Sequence, residues 1–177
     1  MGKYSNFERA EKDFYPTIDP NAIVTGLVNS IRGKTYAEPC YGEGDLEDQL
    51  MEVAVCKWRS DIRKTVGSSV VMDALTLTDK DLNGCDLIIT NPPFTRQVLL
   101  PMIEHFVSLR PTWLLLPADL MHNIYFSPYV SKAREIISVG RLYWSENEVR
   151  GKQNFCWYFW PSGGAETWEH TEFIGRG

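Results

Sequence analysis

Asp86-Leu87-Ile88-Ile89-Thr90-Asn91-Pro92-Pro93-Phe94 joins a short run of buried-strand character to a polar amide, two prolines and an aromatic ring. A continuous apolar run of this length reads as a strand covered on both faces, as in a parallel sheet, and the double proline ends it abruptly. Working outward, Val53 to Trp58 is a second strand-like run, ending in Asp61. Thr35 to Glu38 is a third, followed by a turn at Gly42 and Gly44 and by a helix that turns Leu46, Leu50 and Val53 inward. Asp19-Pro20 places an N-cap before a proline at the first helical position, which predicts a helix over about 19–32, closed by Gly33. A helix is expected over Gln97 to Leu109, then a strand from Trp113 to Leu116, a short turn or helix from Pro117, and a helix over Ser131 to Ile137. Arg141 to Ser145 and Phe155 to Trp160 read as a hairpin at one sheet edge, and residues 161–177 as a loose tail. Strands alternating with helices imply an α/β fold with a mostly parallel sheet.

The chain has 177 residues, 44% of them hydrophobic and 12% aromatic, enough for one core and too few for two full-sized domains. The expectation is a single domain over residues 1–160. No apolar run approaches the roughly 20 residues of a membrane helix, and the N-terminus lacks a signal-peptide core, so a cytoplasmic protein without a membrane partner is expected. A net charge of −5 argues against nucleic-acid binding by an overall positive field, though a local basic face remains compatible with it. Cys40, Cys56, Cys85 and Cys156 and the three histidines are scattered, which predicts reduced core thiols and no metal.

Glu38-Pro39-Cys40-Tyr41-Gly42-Glu43-Gly44 sets an acid at a strand tip and two glycines where the backbone passes close to a ligand. Six acids and no Lys or Arg lie between Glu38 and Glu52, poor surroundings for a pyrophosphate. A cofactor with a cationic end and no phosphate resolves the conflict, and S-adenosylmethionine carries an ammonium and a sulfonium beside a ribose and an adenine. Asp61 is placed to accept hydrogen bonds from ribose hydroxyls, Ile62 to flank the adenine, and Asp73 to accept its amino group.

At the double proline, the Asn91 side-chain oxygen and the Pro92 carbonyl can accept both hydrogens of a planar amino group, while Pro93 stiffens the loop. Phe94 can stack on the ring that bears the amine. Withdrawing those hydrogens makes the nitrogen a better nucleophile toward a methyl sulfonium without a strong base.

Glu38 to Gly44 together with Asn91 to Phe94, in this order, resembles the cofactor and catalytic motifs of the amino-group DNA methyltransferases of the N6-adenine class. Asp13-Phe14-Tyr15-Pro16-Thr17 is similar to the family's N-terminal motif, which closes over the methionine end of the cofactor, with Pro-Thr in place of the usual Thr-Pro. The resemblance implies cofactor contacts from Phe14, Tyr15, Thr17, Glu38, Pro39, Gly42, Gly44, Asp61, Ile62, Asp73, Ala74 and Asn91. It also implies a Rossmann-like methyltransferase fold, with a seven-stranded, mostly parallel sheet and an antiparallel C-terminal strand. Asn154-Phe155-Cys156-Trp157-Tyr158 looks like the family's late aromatic motif beside a flipped base, which points to Phe155, Trp157 and Tyr158 as target-base contacts.

The implied reaction transfers a methyl group from S-adenosylmethionine to N6 of adenine flipped from duplex DNA. Similar loops act on RNA base amines and on protein glutamine, and a non-catalytic nucleic-acid-binding module is the rival from another class. From Ser127 to Cys156, five basic residues face three acidic ones, and Arg150 and Lys152 lie in a loop around Gly151 suited to DNA contact. No insertion has room for a separate target-recognition domain, so short or degenerate specificity is expected, or else a homodimer or a specificity partner. The small size resembles orphan enzymes of bacteriophages, which implies the cytoplasm of a bacterium or infected host.

Overall fold

A buried parallel strand takes its hydrogen-bond partners from distant parts of the chain. In the computed structural model, which describes residues 15–65, 70–163 and 170–176, eight strands do so in one sheet. They are β1 (Thr35–Glu38), β2 (Val55–Asp61), β3 (Val70–Val71), β4 (Leu87–Thr90), β5 (Thr112–Pro117), β6 (Glu135–Arg141), β7 (Asn154–Trp160) and β8 (Glu172–Ile174). Their order is β3-β2-β1-β4-β5-β7-β6-β8, and β7 alone runs against its neighbours. Helices α1 (Thr25–Ile31) and α2 (Asp45–Leu50) cover one face, and α3 (Arg96–Leu109) covers the other; a fourth, α4, is the single turn Ser127–Val130.

Alternation along each strand divides the core between the two faces. On β5, Trp113 and Leu115 join Leu27, Ile31 and Leu50 of α1 and α2, while Leu114 and Leu116 join Ile103 and Phe106 of α3. Both faces are covered, which is why β4 and β5 read as continuous apolar runs.

The register of β1 against β4 is fixed at the strands' entry. The Asp86 carboxylate accepts from the Thr35 backbone N–H (2.8 Å) and hydroxyl (2.9 Å), and the Asp86 N–H donates to the Thr35 carbonyl (2.8 Å). Tyr36 then lies beside Leu87 and Ala37 beside Ile88. The chain winds outward from β1 through β2 to β3 and in the opposite sense from β4 to β5. The strand order therefore reverses between β1 and β4, where open α/β sheets form their ligand crevices.

Four expectations are corrected. The sheet has eight strands rather than seven, because part of the expected tail pairs with β6: the Glu172 N–H donates to Arg134 O (2.9 Å) and the Thr171 hydroxyl to Ala133 O (2.9 Å). Ser131 to Ile137 is not a helix; Ile136 and Ile137 face opposite layers, the period of a strand, and belong to β6. The strand expected over Arg141 to Ser145 is β6, ending at Arg141, and its partner β7 lies inside the sheet between β5 and β6, not at an edge. The first helix is split: Asp19 caps a single 3-10 turn, Pro20–Ala22, and the chain extends at Val24 before α1 begins.

The Asp86 carboxyl is held below the usual carboxylate range, first by the Thr35 backbone N–H and then by the Thr35 hydroxyl. A depressed value contributes stability above the unfolded carboxyl's pKa and loses it as pH falls through the folded one. Asp86→Ala is therefore expected to melt below the wild type at pH 7, with the gap closing below about pH 4. Thermal scans across pH check this; a gap that does not change with pH contradicts it.

Candidate functional site

At the reversal point, the C-terminal ends of β1, β2 and β4 open into a cavity of about 720 Å³. Glu38 leaves β1 into it, and the chain turns back through Gly42 (φ 59°) and Gly44 (φ 98°) into α2. A side chain at Gly44 is disfavoured by its left-handed backbone and would have to displace the Tyr41 hydroxyl, 2.6 Å from where a Cβ would stand. Asp61 ends β2, and its Oδ2 accepts from the Gly42 N–H (2.9 Å), so the turn and the second strand are tied together. Its Oδ1 accepts from the Arg63 N–H (2.9 Å).

Glu38 is 2% exposed, and its Oε2 has no hydrogen-bond partner. Burial pushes its carboxyl well above the ordinary value; Glu47 and Asp45 add to this, and Arg59 opposes them. Arg59 pairs with Glu47, whose carboxyl it holds down. The guanidinium of Arg59, the residue that pairs in register with Glu38 across β1 and β2, is therefore already engaged, and a buried acid left without a partner is costly unless a cation or donor enters the cavity. Asp73, Ala74 and Leu75 form the far wall, where the Asp73 Oδ1 accepts from the Leu75 N–H (3.0 Å). Ile62 and Leu75 present exposed apolar side chains there.

Asn91 follows β4 directly. Its Nδ2 donates to Tyr15 O (2.8 Å) and to the Thr17 hydroxyl (3.0 Å). Two acceptors on one side set the orientation of the amide, leaving Oδ1 buried without a partner. Thr17 is held a second time by Gln49 of α2, whose side-chain amide donates to its carbonyl. Beyond Asn91, Phe94 stacks on Tyr15 (5.5 Å between centroids, 16° between planes) and meets Phe155 at 47°. Trp144 closes this nest, edge-on to both Tyr15 and Phe155.

The structure thus brings Tyr15, Thr17, Glu38, Pro39, Gly42, Asp61, Ile62, Asp73, Ala74, Asn91 and Pro93 to one cavity, with Gly44 supporting its turn and Pro92 buried beneath it. Phe94 and Phe155 lie together in the adjoining nest. Phe14 lies outside the described residues. Trp157 and Tyr158 do not reach the site: both are fully buried, with the Trp157 indole N–H donating to Ala22 O (2.7 Å) on one face and Tyr158 packed in the core of the other. The interior position of β7 consumes these rings as packing. Arg150 and Lys152 are exposed on the β6–β7 loop, which the Gly151 N–H closes on Leu142 O (2.8 Å).

Sequence reading missed Val98 and Met102 on the first turns of α3, which line the cavity, and Gln49 and Trp144, which lie outside its lining and hold Thr17 and Tyr15 from behind. The spacing of Val98 and Met102, one turn apart directly after the proline loop, was the available signal. Among the described residues, no cluster of three or more potential metal ligands occurs, and no helix is long and apolar enough to cross a membrane.

No family model matches the chain, and neither does any curated protein. Solved structures do. A Pyrococcus horikoshii protein provisionally assigned as an RNA methyltransferase matches at TM-score 0.61 and 14% identity, over 90% of this chain and 94% of that one. A Listeria monocytogenes protein provisionally assigned as a class I S-adenosylmethionine-dependent methyltransferase matches at 0.55 and 11%, over 84% and 60%. The M protein of the type I restriction enzyme EcoKI matches at 0.51 and 11%, over 90% and 46%. The fold is the Rossmann-like methyltransferase fold. The chain spans 60% of the length of the Listeria protein and under half that of the EcoKI subunit. Within this methyltransferase fold, the reversal point, the acid at the tip of β1 and the loop after β4 form one continuous site.

The raised Glu38 carboxyl has a sign that can be tested. A folded-state value above the ordinary one, about 4.3, gives stability that is full below the unfolded value and is lost as pH rises through the folded one. Glu38→Gln cannot ionise and is expected to lose less stability than the wild type between about pH 5 and 8, without ligand. Paired melting curves check this; parallel pH profiles contradict it.

Proposed function

We propose that the chain is an S-adenosylmethionine-dependent methyltransferase that modifies N6 of adenine in DNA. The observation that carries this reading is the buried, unpartnered Asn91 Oδ1, standing between an acidic cavity and an aromatic nest. The cavity suits the cofactor, because Glu38 Oε2 is an orphaned buried acceptor that a cation would satisfy. Glu38 would hold the cationic methionine end, Asp61 the ribose hydroxyls, and Ile62 with Leu75 the adenine faces. S-adenosylmethionine supplies, when bound, an electrophilic methyl group on sulfur.

The chain's own residues prepare the acceptor. Asn91 Oδ1 and the Pro92 carbonyl accept the two hydrogens of a planar amine, which raises electron density on its nitrogen. The Asn91 amide is preoriented, since Tyr15 O and the Thr17 hydroxyl already occupy its two N–H donors. Phe94 offers a π face for the ring carrying the amine, as extrusion of a base from a duplex requires.

Support for DNA comes from the motif resemblance and from the exposed Arg150 and Lys152 on the β6–β7 loop. We read specificity as short or degenerate, supplied by that loop and residues 125–129 or by a partner subunit, and the setting as the cytoplasm of a bacterium or infected host. An RNA base amine is the second reading, favoured by the close match in extent to the Pyrococcus horikoshii protein.

Incubation with tritiated S-adenosylmethionine and unmethylated DNA, RNA and protein pools in parallel tests the proposal. Label is expected in DNA as N6-methyladenine, and Asn91→Ala is expected to reduce it about 10²-fold or more. Asp61→Ala is expected to weaken cofactor binding by about 1–3 kcal/mol. Label in RNA or protein alone redirects the acceptor, label in none favours a non-catalytic binding module, and full turnover by Asn91→Ala removes the mechanism.

A further inference from the structure

Ile124 is 92% exposed, more than any other large apolar side chain among the described residues. It follows the C-terminal end of β5, which runs parallel to β4, so it stands at the same end of the sheet as Asn91. The ring of its neighbour Tyr125 lies under the Arg96 guanidinium, 4.3 Å from Cζ to the ring centroid, and Arg96 follows Phe94 by two residues. An apolar tip and a cation thus stand together beside the acceptor loop. We propose that Ile124 is a wedge that enters the base stack of duplex DNA at the step from which the acceptor adenine is drawn out. The proposal rests on the reading of DNA as the substrate.

The local structure presents this side chain and keeps it from retreating. Two 3-10 turns, Ala118–His122 and Ile124–Phe126, meet at Asn123. The Asn123 N–H donates to Leu120 O (3.0 Å) and its side-chain amide to Asp119 O (2.9 Å), while its carbonyl accepts from the Phe126 N–H (2.9 Å). Phe126 is fully buried, stacked on Tyr129 and edge-on to Tyr158, and Leu120 is buried in the same layer. With both flanks anchored in the core, the turn holds Ile124 in water at a standing hydrophobic cost. Exposure alone is ordinary on a protein surface; the rigid pedestal and the adjoining cation beside the acceptor loop set this residue apart. Extruding a base strips its neighbours of one stacked face each, and an apolar side chain inserted there recovers part of the lost contact. A β-branched chain suits the task, because its χ1 is already restricted and little rotamer freedom is lost on insertion. Arg96, exposed in the first turn of α3, offers its charge to the phosphates flanking the same step.

The test measures initial rates of label transfer from tritiated S-adenosylmethionine to one sheared unmethylated genomic DNA, native or heat-denatured, by wild type, Ile124→Ala and Ile124→Leu. A wedge matters only where a stack must be opened. The ratio of native to denatured rates is therefore expected to fall about tenfold in Ile124→Ala and to stay within about threefold of wild type in Ile124→Leu, which keeps the apolar bulk. If the wild type labels native DNA alone, the native rate is expected to show the same fall in Ile124→Ala and the same rescue in Ile124→Leu. An unchanged ratio, or an unchanged native rate where that is the readout, overturns the wedge and leaves the methyltransferase reading standing. So does a wild type that labels denatured DNA alone. A wild type that labels neither form overturns the DNA reading and the wedge with it.

Discussion

The hydrogen-bonded pairing of Thr35 with Asp86 locks together two strands that are remote in sequence, and the geometry of the site follows from it. With those two residues paired, β1 and β4 run side by side in a single register, and Glu38 and Asn91 emerge at the same end of the sheet. A slip of one residue would turn the strands' side chains to the opposite faces and separate the acid from the amide. Because strand order reverses at this pair, no crossover helix covers the space above it. Asp61 then joins the same edge through β2, and its bond to the Gly42 N–H shapes the turn around the space.

Electrostatics gives that space its character. Acids dominate the segment from Glu38 to Glu52, and Arg59, the cation set against them from β2, is committed to Glu47. Glu38 is left buried with an unused oxygen, a local cost that a cationic ligand would remove. The opposite side of the site is uncharged: an amide oxygen, proline carbonyls and aromatic rings. Such a division suits a reaction between an electron-poor centre and a neutral amine, with orientation rather than titration preparing the nucleophile.

Much of this was legible in the sequence because its signals are local. An apolar run broken by Asn91-Pro92-Pro93 marks the end of a strand, and glycines bracketed by acids mark a close turn. The features that escaped depend on distant partners. The aromatic character of β7 read equally well as a base-binding surface or as packing, and only its place between β5 and β6 decides that Trp157 and Tyr158 belong to the core. The pairing of Glu172–Ile174 with β6 leaves almost no mark in three residues, two of them exposed. Gln49 and Trp144 enter the site only because the segment from Tyr15 to Thr17 crosses above the strand ends, which no periodicity announces.

The central claim is that the acidic cavity at the β1–β4 reversal is built for the cationic S-adenosylmethionine and not for a phosphate-bearing nucleotide. Titration calorimetry of the wild-type chain with S-adenosylmethionine, NAD and ATP tests it most directly. The account predicts one saturable site for S-adenosylmethionine, weakened by Glu38→Gln, and no comparable binding of the other two. Equal binding of NAD or ATP, or no heat with S-adenosylmethionine, would contradict it.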